Sequence, residues 1–237
     1  METFEKAFGR KRISADKQKT FADISGILNS ASFDYFQMAT KDYLNGNLHN
    51  ALSNINKSID NSEICNWEKC AFRANIYEDL KDFRKAILNY EQAIEYAFDD
   101  VLVYALYHQI GYCYVMLNDN PKALEFYTYA IDLKKQHPNT EICPDQEGLN
   151  GGVLLGVPLK KMYNNRGNAN LNLGRLYETG IDCKAAIDCD KDYSNPYLLM
   201  AQVFSKEGKE AEAMNCLEAA ASLGNKTAIS MLQRLFP

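Results

Sequence analysis

Residues 107–131, YHQIGYCYVMLNDNPKALEFYTYAI, decide the fold. Tyr107, Ile110, Gly111 and Tyr114 recur at helical spacing, and so do Ala123, Tyr127, Ala130 and Ile131. Between the two sets stands Asn118-Asp119-Asn120-Pro121, a turn. The physical content is a pair of helices. Small residues (Gly111, Ala123, Ala130) let the backbones approach, and large ones (Tyr107, Tyr114, Tyr127) fill the space beside them.

The same layout recurs four more times. One copy holds Tyr35, Met38 and Ala39, with Gly46 at its turn and then Ala51, Ile55 and Ser58. The next has Cys70, Arg73, Ala74 and Tyr77, followed by Ala86, Tyr90 and Ala93. A further copy has Tyr163, Arg166 and Gly167, then Gly174, Cys183, Ala186 and Ile187. The last has Tyr197, Met200, Ala201 and Phe204, then Gly208, Ala213, Leu217 and Ala220. The small residues of the first helices, Ala39, Ala74, Gly111, Gly167 and Ala201, are 35, 37, 56 and 34 positions apart. The long interval implies an insertion.

These units resemble the tetratricopeptide pattern W-x2-L-G-x2-Y…A-x3-F and its 34-residue period, with Tyr for Trp, Ile for Leu and Tyr for Phe. The resemblance implies an all-α chain: a right-handed α-α superhelix, or solenoid, of about five helix hairpins with a C-terminal capping helix. It also implies a non-catalytic scaffold that binds a protein or peptide in a concave groove lined by the first helices. The groove side chains would be Phe36, Thr40 and Tyr43; Ala71, Asn75 and Glu78; His108, Tyr112 and Val115; Asn164, Asn168 and Leu171; Leu198, Gln202 and Ser205. This mixture of aromatics and amides suits a peptide more than a polyanion. For Asn75 and Asn168, the alternative is that each only bonds neighbouring helices. Asp42 and Asn170 stand where the first helix of the pattern has Tyr, and Thr179 where the second opens with Ala. One subgroup grips the C-terminal carboxylates of chaperone tails with Lys, Asn and Arg. Asn75, Lys161 and Asn165 fall on clamp-like sites, but Ala71 and Gln109 replace its Lys and Asn, and Asn165 replaces its Arg. The clamp is incomplete.

The organisation expected is an N-terminal tail and capping helix over 1–31, repeats over 32–135, an insertion over 136–159, repeats over 160–224 and a capping helix over 225–237. Residues 1–13 read as an irregular basic tail. Ser14 caps a helix to about Asn29 in which Phe21, Ile24 and Leu28 stand at i, i+3 and i+7. Near the other end Ala228, Ile229, Leu232 and Leu235 make an apolar stripe after Asn225, an N-cap. The insertion is polar and then apolar and Gly-rich. Three readings stay open for it: packing on the repeats, a partner or self-association surface, or disorder.

Composition sets the outer limits. The 237 residues are 46% hydrophobic, which excludes wholesale disorder. A net charge of −5 argues against a dedicated nucleic-acid binder, although Arg10-Lys11-Arg12 leaves a basic tail. The N-terminus lacks the apolar run of a secretory signal, and no stretch is long enough to span a membrane. Seven scattered cysteines without C-x-x-C read as reduced thiols of a cytoplasmic protein. No nucleophile, nucleotide or metal motif stands out, so no enzyme activity, metal or cofactor is expected. Asp182, Asp188 and Asp190 read as a solvated helix face. The first alternative to the scaffold reading is self-assembly through the apolar insertion or an end helix; behind it stand a nucleic-acid-linked regulator that uses the basic tail and an enzyme with an unrecognised site.

Overall fold

A computed structural model describes residues 30–62, 67–97, 100–136, 149–150, 153–154 and 157–235. These residues form eleven helices, and the helices group into two compact units that divide after the fourth helix rather than at the insertion. The N-terminal tail, its expected helix and most of the insertion lie outside the described residues.

The first unit holds α1 (Ser30–Leu44), α2 (Leu48–Asp60), α3 (Trp67–Asp79) and α4 (Phe83–Tyr96). α1 pairs with α2 and α3 with α4, while α2 also packs on α3. Ala39, Ala51, Ala74, Ala86 and Ala93 are fully buried, and Ile55 and Tyr90 fill the space they leave. A polar knot ties three helices together. The buried Lys69 Nζ donates to Ser32 Oγ (2.6 Å), Ser62 Oγ (2.5 Å) and the Ser58 carbonyl (3.3 Å).

The second unit holds α5 (Asp100–Met116), α6 (Asn120–Gln136), α7 (Leu159–Asn172), α8 (Leu176–Cys189), α9 (Asn195–Lys206), α10 (Glu210–Ser222) and α11 (Lys226–Leu235). The hairpins are α5–α6, α7–α8 and α9–α10, and α11 packs on α10. Ala201, Leu217, Ala220 and Ala228 form the core at this end, with Leu232 against it. Asn225 Oδ1 accepts from the Thr227 and Ala228 amides (both 3.1 Å) and so caps α11. Within the insertion, β1 (Leu149–Asn150) and β2 (Val153–Leu154) pair. They are the only strands among the described residues and too short to change the all-α class. At the insertion's end Val157 is buried, and its backbone hydrogen-bonds with the Tyr104 hydroxyl.

One backbone device recurs at six turns. The amides of Asn47, Asp82, Asp119, Arg175, Lys209 and Asn225 donate to the carbonyls of Asp42, Tyr77, Tyr114, Asn170, Phe204 and Ala220, all within 2.8–3.0 Å. This is the helix-ending closure that needs a left-handed residue just before the donor. Gly46, Gly174, Gly208 and Gly224 supply it without strain, whereas Lys81 and Asn118 adopt the same conformation (φ 64° each).

The helix interiors show why small residues recur. An added Cβ on Gly111 would lie 2.8 Å from the ring of Tyr127, which is 1% exposed. On Gly167 it would meet Leu199 at 3.1 Å and Asp182 at 3.3 Å.

The positions that depart from the repeat pattern each find a polar partner. Asn54 Nδ2 donates to Asp42 Oδ2 (2.9 Å), and Asn170 Nδ2 donates to Asp182 Oδ2 (3.1 Å). Each pair is twelve positions apart, so a polar residue in the Tyr place is answered by a polar residue on the second helix. Thr179 is fully buried and donates to the Arg175 carbonyl (2.8 Å). Asp182 corrects the sequence reading of a solvated face. It is 1% exposed, and Arg166 Nη2 donates to its Oδ1 at 2.6 Å, with Nε 3.1 Å from both oxygens. Helical periodicity turns Asp182 inward with Cys183 and Ala186, while Asp188 stays exposed. The half-buried Asp190 pairs with Lys160 (2.7 Å).

These contacts make three predictions. Gly111→Ala will destabilise by ~1–3 kcal/mol through overpacking, against a helix-propensity gain of at most ~1 kcal/mol. Gly180→Ala, where nothing lies within 4 Å, will stabilise by up to ~1 kcal/mol. Arg166→Ala will cost about 3 kcal/mol, because it strands a buried carboxylate. Urea unfolding midpoints check all three.

Candidate partner-binding surface

In the first unit, α1 places Phe33, Phe36, Gln37, Thr40 and Leu44 on one side. With Lys41 and Asn45 they line a cavity of about 520 Å³. Phe33 is 46% and Leu44 72% exposed. Phe36 is half-buried and meets Phe72 edge-on (5.6 Å), as Tyr43 does (5.3 Å). Thr40 Oγ1 donates back to the Phe36 carbonyl (3.0 Å). The Tyr43 hydroxyl donates to Asp79 Oδ2 (2.6 Å). Burial, with the Asp79 hydrogen bond and charge, holds Tyr43 protonated far above the usual tyrosine range. Asn75 is buried. The Tyr90 hydroxyl sits between Asn75 Oδ1 (2.5 Å) and Glu78 Oε2 (2.9 Å), so α4 already engages both groove residues of α3. Ala71 is buried beside them.

In the second unit, His108 is only 4% exposed. Asn165 Nδ2 lies 3.1 Å from His108 Nε2, and Gln109 Oε1 lies 3.1 Å from Nδ1. An amide donating to Nε2 leaves the ring proton on Nδ1, which then donates to Gln109, so one neutral tautomer satisfies both contacts. Burial lowers the His108 pKa from 6.5 to about 4; the charge of Lys161 adds to this, and the Gln109 hydrogen bond opposes it. Asn164 is also buried. Its Oδ1 is the one buried side-chain polar atom without a hydrogen-bond partner among the described residues.

Tyr112, Asn168 and Gln202 each follow the small residue of their helix, so α5, α7 and α9 carry them at one register. Tyr112 is half-buried, and Asn168 and Gln202 are exposed. Asn168 Nδ2 donates to the Asn164 carbonyl one turn back (3.1 Å). Val115, Leu171 and Leu198 are half-buried around them, and Ser205 is exposed.

The expected groove set therefore divides. Phe36, Thr40, Tyr43, Glu78, Tyr112, Asn168 and Gln202 reach solvent to some degree, whereas Asn75, His108 and Asn164 are inside. Sequence reasoning missed Phe33, Gln37 and Leu44. Their i, i+4, i+11 spacing along α1, shared with Phe36 and Thr40, was the available signal.

Comparison with known proteins places this geometry. A tetratricopeptide repeat family model matches residues 70–100 and 194–225. A crystal structure of the MamA protein superposes with a TM-score of 0.63 at 15% identity, covering 84% of this chain and 94% of that one. MamA 41-end from Desulfovibrio magneticus RS-1 gives 0.65 at 11% identity, covering 83% and 96%. YrrB, a TPR protein with an unusual peptide-binding site, gives 0.60 at 15% identity, covering 91% and 97%. No curated protein sequence matches. The fold is the tetratricopeptide helix-hairpin solenoid. Among the described residues no helix is long and apolar enough to cross a membrane.

The buried histidine sets a pH dependence. A folded-state pKa below the unfolded value means that the unfolded chain binds the proton first as pH falls. Stability is complete above about pH 6.5 and drains away as pH drops toward 4. By pH 4.5 the loss is ~2–3 kcal/mol. Urea midpoints of the wild type and of His108→Gln, compared at pH 7 and 4.5, will differ most at pH 7, because only the wild type carries this loss.

Proposed function

We propose that this chain is a non-catalytic scaffold that holds an extended peptide segment of a partner protein along the α5–α7–α9 face. The observation that carries the reading is the common register of Tyr112, Asn168 and Gln202 on three successive first helices, with both amides exposed. Exposed amides offer both donors and acceptors, so they suit a peptide backbone of any sequence. An aromatic edge at the head of the row adds apolar contact at low entropic cost. Nothing charged is required of the ligand. The shared fold of YrrB, whose own peptide-binding site is described, supports this reading. The scarcity of charge along the row separates it from a carboxylate clamp.

A peptide-display selection against the full chain tests it. Enriched peptides should bind Tyr112→Ala/Asn168→Ala/Gln202→Ala at least tenfold more weakly, with an unchanged thermal midpoint. Equal binding by this variant, or no enriched peptide, would contradict the assignment. Asn75 and His108 are excluded from the variant because they belong to the buried frame.

A further inference from the structure

Two arginines hold the same place in their hairpins, and only one of them meets a carboxylate. Arg73 and Arg166 each stand one position before the small residue of a first helix, Ala74 and Gly167. Both are half-buried, and both reach the residue sixteen positions on, in the second helix. For Arg166 that residue is Asp182, which it meets at 2.6 Å while also donating to Thr128 Oγ1 (3.3 Å). For Arg73 it is Asn89, which carries no charge.

Three neutral amides hold the Arg73 guanidinium. Nε donates to Asn89 Oδ1 (2.6 Å), Nη1 to Asn56 Oδ1 (3.1 Å) and Nη2 to Gln92 Oε1 (3.2 Å). α2 supplies one acceptor and α4 two, so the group is fixed from two sides of α3. Among the described residues no carboxylate pairs with it. Three of its five N–H groups are engaged, which leaves one on each Nη nitrogen. The NH2 groups of Asn56 and Gln92, on the same carbons as the accepting oxygens, add donors close by. A guanidinium half withdrawn from water and met only by neutral oxygens keeps its charge uncompensated. A carboxylate answers that charge about twice as strongly as an amide carbonyl does.

We infer that Arg73 receives the carboxylate of an aspartate or glutamate from a partner protein, which does for Arg73 what Asp182 does for Arg166. One positive charge among neutral amides matches a monoanion better than a phosphate, which carries nearly two charges. The site belongs to the first unit and shares no residue with the Tyr112–Asn168–Gln202 face, so it stands or falls separately from the peptide reading.

Arginine side-chain NMR on the full chain tests it. Seven arginines keep the Nε–H spectrum simple, and Arg73→Lys assigns the signal of interest. Sodium acetate, a capped Ala-Glu-Ala peptide and sodium phosphate are titrated in turn against sodium chloride of equal ionic strength. With acetate and with the peptide, the Arg73 signal should follow a saturating curve while that of Arg166 stays in place. Asn89→Asp lets the chain supply its own carboxylate, so the acetate-induced shift should fall ~5-fold or more. Gln92→Glu, which puts the carboxylate on the other side chain of α4, should do the same with the backbone amide fingerprint of α2–α4 retained. Shifts of wild-type size in both variants would overturn the inference, as would an Arg73 response no larger than that of the exposed Arg234. Saturation by phosphate but not acetate would replace the carboxylate with a phosphate, and saturation by acetate but not the peptide would remove the partner protein; either result contradicts the assignment.

Discussion

The structure depends on a ring pressed against a backbone that has no side chain. Tyr127 lies close enough to Gly111 that a single added carbon would sit 2.8 Å from its ring. This brings α5 and α6 together closely, and Ile110, Cys113, Ala123 and Ala130 of the same two helices are fully buried. Ala39, Ala74, Gly167 and Ala201 hold the corresponding place in the other hairpins. Burying an aromatic of this size removes a large apolar area from water, and close packing adds dispersion contacts that a looser pair would forfeit. The small residue is thus an energetic requirement of the hairpin, and its recurrence is what makes the fold readable.

Where that scheme is relaxed, polar groups replace it in pairs. Arg73 Nε donates to Asn89 Oδ1 (2.6 Å), and sixteen positions apart in the same way Arg166 meets Asp182. Asp42 with Asn54 and Asn170 with Asp182 keep a twelve-position spacing. A buried polar group is costly when unpaired, so a change on the first helix demands a matching one on the second. The degenerate repeats remain satisfied hairpins for that reason.

The fold was legible because large-on-small packing repeats in sequence at nearly constant intervals, and a helix ends where Gly46, Gly174 or Gly208 takes a left-handed backbone. The burial of Asp182 was not legible. A carboxylate on a helix reads as solvated until the arginine that neutralises it is placed in space. The same holds for His108 and Asn75. Register alone turned them toward a groove, but Asn165 and Tyr90, remote in sequence, close over them. The common register of Tyr112, Asn168 and Gln202 was legible because it follows directly from the small residue before each. The α1 cavity was half legible: Phe36 and Thr40 came from register, whereas Phe33 and Leu44 required seeing that no described helix covers them.

Frame and surface are therefore separable in this chain. Buried rings, small residues and paired polar groups hold the hairpins, and Tyr112, Asn168 and Gln202, each one position beyond a small residue, make up the surface proposed for a partner. A double-mutant cycle between Gly111 and Tyr127 tests the frame most directly. The account predicts that Gly111→Ala loses most of its destabilising effect in a Tyr127→Leu background, a coupling of at least ~1 kcal/mol by urea unfolding. Additive effects of the two substitutions would contradict it.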